Sequence, residues 1–258
     1  MNQPKNYSKS ANRALDVLDY FARCGRPARG AEIADALGIA RSSADQLLKS
    51  MVLSGYLVRP GEGQAYFPSL RMARFGHWIA GCYPDIERYR AIVEDVHEQT
   101  GCVVTLTMRN DCFMQMMTAA RGSDDDPLLD VGAKVPVLGS AIGSAALTTQ
   151  SRKAIARLVE RARLRHAVLG EVDWDQPIDE EIRLFRMKGY SWRPSKRVRG
   201  AGTSQRPVEY WSIAMTLPHV AGTPEIVLGL AGPTPRVRPH EWDLVNLMRR
   251  SIRLNMAH

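Results

Sequence analysis

Apolar residues recur along this chain at two spacings, near 3.6 where a helix is expected and two where a strand is expected, and the switches between them divide it. The clearest helical spacing lies in GAEIADALGIARSSADQLLKSMVLSGY, residues 30–56. Ala44, Leu47, Leu48 and Met51 stand at i, i+3, i+4 and i+7, so they share one helix face. Ser42, Gln46 and Lys49 fall opposite them, flanked by Arg41, Ser43, Asp45 and Ser50. Just upstream, Ala31, Ile33, Ala34 and Leu37 form the packing side of a shorter helix. Gly38 ends it, because glycine accepts the left-handed conformation a helix cap needs. Two helices about a short glycine turn, the second polar on its free side, make a helix-turn-helix pattern. An ordinary helical hairpin with a solvated face has the same pattern.

The flanks decide between those readings. Ala11, Ala14, Leu15, Leu18 and Ala22 mark an amphipathic helix before the pair, and residues 56–59 read as a strand after it. PGEGQ at 60–64 is a turn and residues 65–67 a returning strand, which makes a wing. Residues 1–67 are therefore expected to be a winged helix-turn-helix DNA-binding domain. Ser42, Ser43, Asp45, Gln46 and Lys49 are its candidates for the DNA face, with Lys49 open to phosphate contact, Arg41 for meeting phosphate and Arg59 for bracing the wing. Residues 68–82 follow as a linker helix, with Pro68 in its first turn and Met72, Phe75 and Ile79 on one side. That stripe suits either subunit pairing or packing on its own domain. Two-fold pairing would set two recognition helices about 34 Å apart and imply a near-palindromic operator on double-stranded DNA.

A second domain is expected over residues 83–258. Asp85 is placed to cap a helix whose seam is Ile86, Tyr89, Val93 and Val96 and whose end is Gly101. Residues 102–108 and 112–118 read as strands around a turn at Arg109, Asn110 and Asp111. A third strand is expected at 128–131, two more at 210–217 and 225–231, and a closing helix with Trp242, Val245, Arg249 and Ile252 on one face. The class is α+β, with an antiparallel sheet flanked by helices.

Composition narrows the function. The net charge is +8, and residues 1–77 hold 11 Lys and Arg against 6 Asp and Glu, so the smaller part carries +5 of the excess. A polyanionic partner suits that distribution. No apolar stretch approaches the ~18 residues of a membrane span, and the polar first ten residues lack a signal-peptide core, so a cytoplasmic location is expected. Cys24, Cys82, Cys102 and Cys112 have no metal-ligand or disulfide-framework spacing, which suits reduced structural thiols. The six histidines are widely spaced, and no nucleophile elbow, phosphate loop, dinucleotide fingerprint or H-E-x-x-H motif is present. An enzyme, a metal site and a bound cofactor are accordingly not expected. A DNA-binding protein without ligand control would leave some 170 residues of the second domain without a role.

The run from Ser10 to Leu18, AEIADALGI from Ala31, Arg41-Ser-Ser-Ala, Leu47-Leu and Gly55-Tyr-Leu resemble the N-terminal domain of IclR-type bacterial transcriptional regulators. Gln46 stands where that family usually has a basic residue, a departure that bears on the operator sequence. Gly132, Pro136, Ser140-Ala-Ile-Gly143, Ala145-Ala-Leu147, Gly189-Tyr190, Ile213-Ala214 and Gly232-Pro233 resemble later landmarks. The resemblance implies a GAF-like effector domain that binds a small organic acid, often aromatic, and assembles as a homodimer or homotetramer. It also implies control of a catabolic operon, as repressor or activator.

Gly139, Ser140, Ala141, Gly143 and Ser144 leave room beside their backbone, and a helix starting near Ser140 would aim N–H groups at an anion. Close helix–sheet packing explains the same small residues. By resemblance, the opposite pocket wall would include Thr216, Gly229 and Ala231, where the lack of polar groups at the last two implies a larger or more apolar ligand. Met108, Met114, Met116 and Met117 suit either an adaptable pocket or core filling. The basic stretch 193–202, with Arg206 beyond it, reads as a loop that is solvated, touches DNA, or sends an arginine such as Arg193 to clamp a carboxylate.

Overall fold

The computed structural model describes residues 8–61, 64–121, 131–164, 178–197, 208–218 and 224–256. Its contacts separate two units, Met1–Cys82 and Tyr83–His258.

The first unit runs α1 (Lys9–Cys24), β1 (Ala28–Arg29), α2 (Gly30–Leu37), α3 (Arg41–Leu53), β2 (Leu57–Val58), β3 (Ala65–Pro68) and α4 (Arg71–Cys82). Its three strands form an antiparallel sheet in the order β1-β3-β2. Val17, Phe21, Ile33, Leu48, Leu57 and Tyr66 are at the centre of the core. α1 packs through Val17 and Phe21, whereas Ala11, Leu15 and Ala22 of the expected stripe are exposed. Both stripes have helical spacing, and the one with the aromatic ring has far more apolar surface to bury. Ala31 is likewise exposed, and α2 packs through Ile33, Ala34 and Leu37.

Gly38 caps α2 at φ 62°, as its position suggests. Gly55, at φ 74°, turns the chain so that Tyr56 N–H closes back on Met51 O at 2.9 Å, which shortens the strand expected at 56–59 to two residues. β1, too short to show alternation, supplies the wing with a third strand. Pro68 is no helix starter here: it ends β3 opposite Leu57, and α4 begins at Arg71. Arg71 Nη1 donates to Ser54 O at 2.8 Å and its guanidinium lies 4.7 Å over the Tyr56 ring. Tyr56 also stacks on Phe75. No residue of α4 is buried, and Trp78 is 68% exposed.

The second unit runs α5 (Ile86–Thr100), β4 (Val103–Asn110), β5 (Phe113–Ala120), β6 (Lys134–Pro136), α6 (Ala141–Leu147), α7 (Arg152–Leu164), α8 (Ile178–Lys188), β7 (Ser191–Arg197), β8 (Val208–Thr216) and β9 (Ile226–Pro233). α9 (Thr234–Val237), a 3-10 turn and α10 (Glu241–Met256) close it. The sheet is wholly antiparallel, in the order β6-β5-β4-β9-β8-β7. α5 and α10 pack on one face with Val104, Leu106, Ile213, Leu228 and Leu230. α6, α7 and α8 cover the other with Ala214 and Val227. α6 comes so close to the preceding segment that a Cβ on Gly143 would stand 1.9 Å from Val137 O.

Asp85 sits at the N-cap of α5 but makes no side-chain cap; Arg88 Nη1 holds its carboxylate at 3.0 Å. Arg109 and Asn110 remain in β4, and the turn falls on Asp111, whose φ of 55° is one aspartate tolerates. Of the strand expected at 128–131, only Val131 is a described residue, and it is not in a strand. β6 at 134–136 completes that edge. The basic stretch 193–202 is not simply a loop, because Arg193 to Arg197 belong to edge strand β7; residues 198–207 lie outside the described ones. An edge strand pairs on one side only, so it accepts Pro194 and several charges that make it read as a loop.

In α10 the buried stripe is Val245, Met248 and Ser251, while Trp242 is exposed beneath the Arg249 guanidinium. Tyr190 OH and Trp211 Nε1 both donate to the Glu241 carboxylate at 2.8 Å, tying α10 to the sheet. Burial, reinforced by that bond, pushes the Tyr190 phenol up to about 12, so it stays a donor. No helix among the described residues is long and apolar enough to cross a membrane.

Candidate functional site

Two surfaces hold the residues singled out from sequence. The first is the free side of α3. With Ala44, Leu48 and Met51 buried beneath, Arg41, Ser42, Asp45, Gln46 and Lys49 are all exposed and Ser43 is half-buried at the flank. Asp45 and Lys49, one turn apart, form an ion pair at 2.7 Å that holds the ammonium above its ordinary range. Ala40 occupies the N-cap of α3 and has no side-chain oxygen to offer, so the first-turn N–H groups are not satisfied by a cap. Arg59 lies 5.6 Å over the Tyr66 ring and so rests on the wing.

The second surface is a cavity of about 240 Å³ between α6 and the sheet. Gly139, Ser140, Ala141, Arg193, Gly229 and Ala231 line it, joined by Thr105, Ser195 and Ser212 from three different strands. Gly143 and Thr216 do not. Gly143 is sealed against Val137, and Thr216 pairs with Val227, four residues along β8 from the Ser212–Ala231 pair. Gly229 lies on the floor without making room there, since a Cβ would meet Thr105 Oγ1 at 2.7 Å and Ile142 Cγ2 at 2.8 Å. Its missing side chain serves close packing, not a larger ligand. Met108, Met114, Met116 and Met117 are absent from the lining; Met114 and Met116 are fully buried filling.

Ser140 is occupied as the N-cap of α6, its Oγ accepting from Gly143 N at 3.1 Å and donating to Pro136 O at 2.6 Å. Arg193 crosses from β7 to the helices, its Nε donating to Ser144 Oγ at 3.3 Å and its Nη2 to the Glu181 carboxylate on α8. Burial pushes the Glu181 carboxyl up against the opposing pull of Arg193. Ser212 is within reach of sequence reasoning, by stepping two residues back from Ala214 along its strand. Glu181 is not, because in sequence it is one of three acids in a helix's first turn. No group of three or more metal-ligating side chains occurs among the described residues.

Residues 10–61 match the model of the IclR helix-turn-helix domain. Over 138 residues the chain is 22% identical to the HTH-type transcriptional regulator XynR of Escherichia coli K12, a match covering 52% of this chain and 54% of that protein, or about half the relative's length. Among solved structures, the fold is similar to an IclR regulator from Alicyclobacillus acidocaldarius (TM-score 0.62, 18% identity, 97% of this chain and 98% of that one). It is also similar to the Thermotoga maritima IclR (0.60, 14%, 96% and 98%) and an IclR family regulator from Brucella abortus (0.55, 19%, 100% and 94%). Residues 10–61 thus match an IclR helix-turn-helix domain, and the fold over nearly the whole chain is similar to that of solved IclR regulators.

Proposed function

We propose that the chain grips duplex DNA through α3 and the wing and releases or holds it in answer to a small organic acid bound in the cavity. The observation that carries the DNA part is the row of exposed Ser42, Gln46 and Lys49 on α3, backed by a buried apolar face. In that reading Gln46 pairs with an adenine edge and Asp45 accepts from a cytosine amine. Arg41 and the uncapped first turn of α3 meet phosphate. Ser43 supports them from the flank, and Arg59 positions the wing. Phe75, Trp78 and Ile79, all exposed on α4, support self-association as a dimer or tetramer and hence a near-palindromic operator. A role on DNA places the chain in the cytoplasm.

The cavity supports the effector part, being mostly apolar with Arg193 at one end, which suits an acid with an apolar or aromatic body. Such an acid is the kind of metabolite a catabolic operon would consume. A coupling of roughly 1–3 kcal/mol between cavity and operator is enough for control. Fluorescence anisotropy of the purified protein on its own upstream region tests the reading. Preference over a random duplex of equal length at moderate salt is expected, and equal affinity overturns it.

A further inference from the structure

Register gives the cavity a direction. Val103, Ala231, Ser212 and Arg193 are successive partners across β4, β9, β8 and β7, so one row of the floor runs from an apolar end to a cationic one. Ser195 lies two residues beyond Arg193 on the same strand, and its buried Oγ has no hydrogen-bond partner among the described residues. Val135, Leu138 and Ile142 border the cavity as well. A molecule with an apolar body and an oxygen-bearing head therefore fits in one orientation, head toward β7.

The guanidinium at that end is engaged already. Arg193 and Glu181 are only 13% and 18% exposed, and Arg193, Leu138 and Gly139 line both the cavity and a small gap that Glu181 borders from α8. A second carboxylate arriving beside Glu181 would put two anions on one sheltered cation, which repel each other strongly where water is scarce. Stripping Glu181 away with nothing in exchange would leave a buried charge unpaired. Exchanging one carboxylate for another avoids both penalties.

We propose that Glu181 is an internal stand-in for the effector's carboxylate: an organic acid entering the cavity takes its place on Arg193 and frees the first turn of α8. This rests on the effector reading of the same cavity. Glu181 is suited to leave, because burial already disfavours its charged form and as a first-turn residue it remains favourably placed at a helix N-terminus in water. Ile182 and Phe185 stay in the core, and Arg186 Nε still donates to Thr148 O at 2.7 Å, so the rest of α8 keeps its place. A neutral ligand has no anion to exchange.

Benzoate and its neutral counterpart benzamide are the probes, titrated calorimetrically into the full chain. Glu181→Gln is expected to bind benzoate about tenfold more tightly than the parent, with benzamide unaffected, and Arg193→Gln to lose the preference for benzoate. Equal benzoate affinity in parent and Glu181→Gln, including no binding by either, overturns the proposal. Should Glu181→Gln fail to fold, hydrogen exchange on the parent decides. Faster exchange confined to residues 178–185 on adding benzoate is expected, and unchanged or slower exchange there overturns it. Operator affinity, measured separately without ligand, isolates failure of the DNA reading. A benzoate exchange that leaves operator affinity unmoved would count against effector control while the exchange itself stands.

Discussion

The free face of α3 and the floor of the cavity both carry polar groups on regular elements, yet they are assembled in opposite ways. Ser42, Gln46 and Lys49 are brought together by the turn of one helix, all within two turns of it. Val103, Ala231, Ser212 and Arg193 share a row because four antiparallel strands lie in one register. The first surface leaves its side chains in water. The second is enclosed, so its charge must be compensated from within, as Glu181 compensates Arg193. A local surface therefore tolerates substitution residue by residue, whereas an enclosed one transmits each change to its neighbours.

The comparison breaks first at the two cores. Leu48→Ala removes a fully buried side chain beneath the α3 face and is expected to cost about 2–5 kcal/mol, abolishing DNA binding while the unit that holds the cavity still melts cooperatively; calorimetry would resolve the two transitions. Gly143→Ala should do the reverse. Its Cβ meets Val137 backbone, and a loss of about 3 kcal/mol in the second unit's thermal unfolding is expected, with DNA affinity of the N-terminal unit retained.

Smaller changes sharpen the contrast. Gln46→Ala should cost about 1–3 kcal/mol of discrimination at one base pair in each half-site, seen as relaxed preference in a binding-site selection and as no change in melting temperature. Lys49→Ala should weaken binding to every sequence alike and flatten the slope of log affinity against log salt by about 0.9 for each phosphate it neutralises. Asp45→Asn should act with the opposite sign, since it frees Lys49 from its ion pair, and non-specific affinity measured on random duplex is expected to rise slightly.

How well each surface can be read in advance follows from the same contrast. The α3 face is legible because helical period converts sequence spacing directly into a shared side. In α1 the face that packs is rotated from the one spacing suggests: Ala14 and Leu18 lie against the core beside Val17 and Phe21, while Ala11, Leu15 and Ala22 are exposed. β7 is hidden because an edge strand holding Pro194 and several basic residues has the composition of a loop. Gly229 misleads for a different reason. A glycine that makes room and one that admits a neighbour look alike until Thr105 and Ile142 are seen pressing on it.

The helix-turn-helix, the free face of its second helix, the α+β class and the small-residue segment beside the sheet are legible in the order of residues, since each depends on spacing within one element. That Arg193 and Ser195 join the cavity, that Thr216 and Gly143 do not, and that Glu181 sits on the arginine emerges on folding. Strand register and the approach of a distant helix settle these, and they arise from packing among segments separated by tens to more than a hundred residues, about which local pattern carries no information.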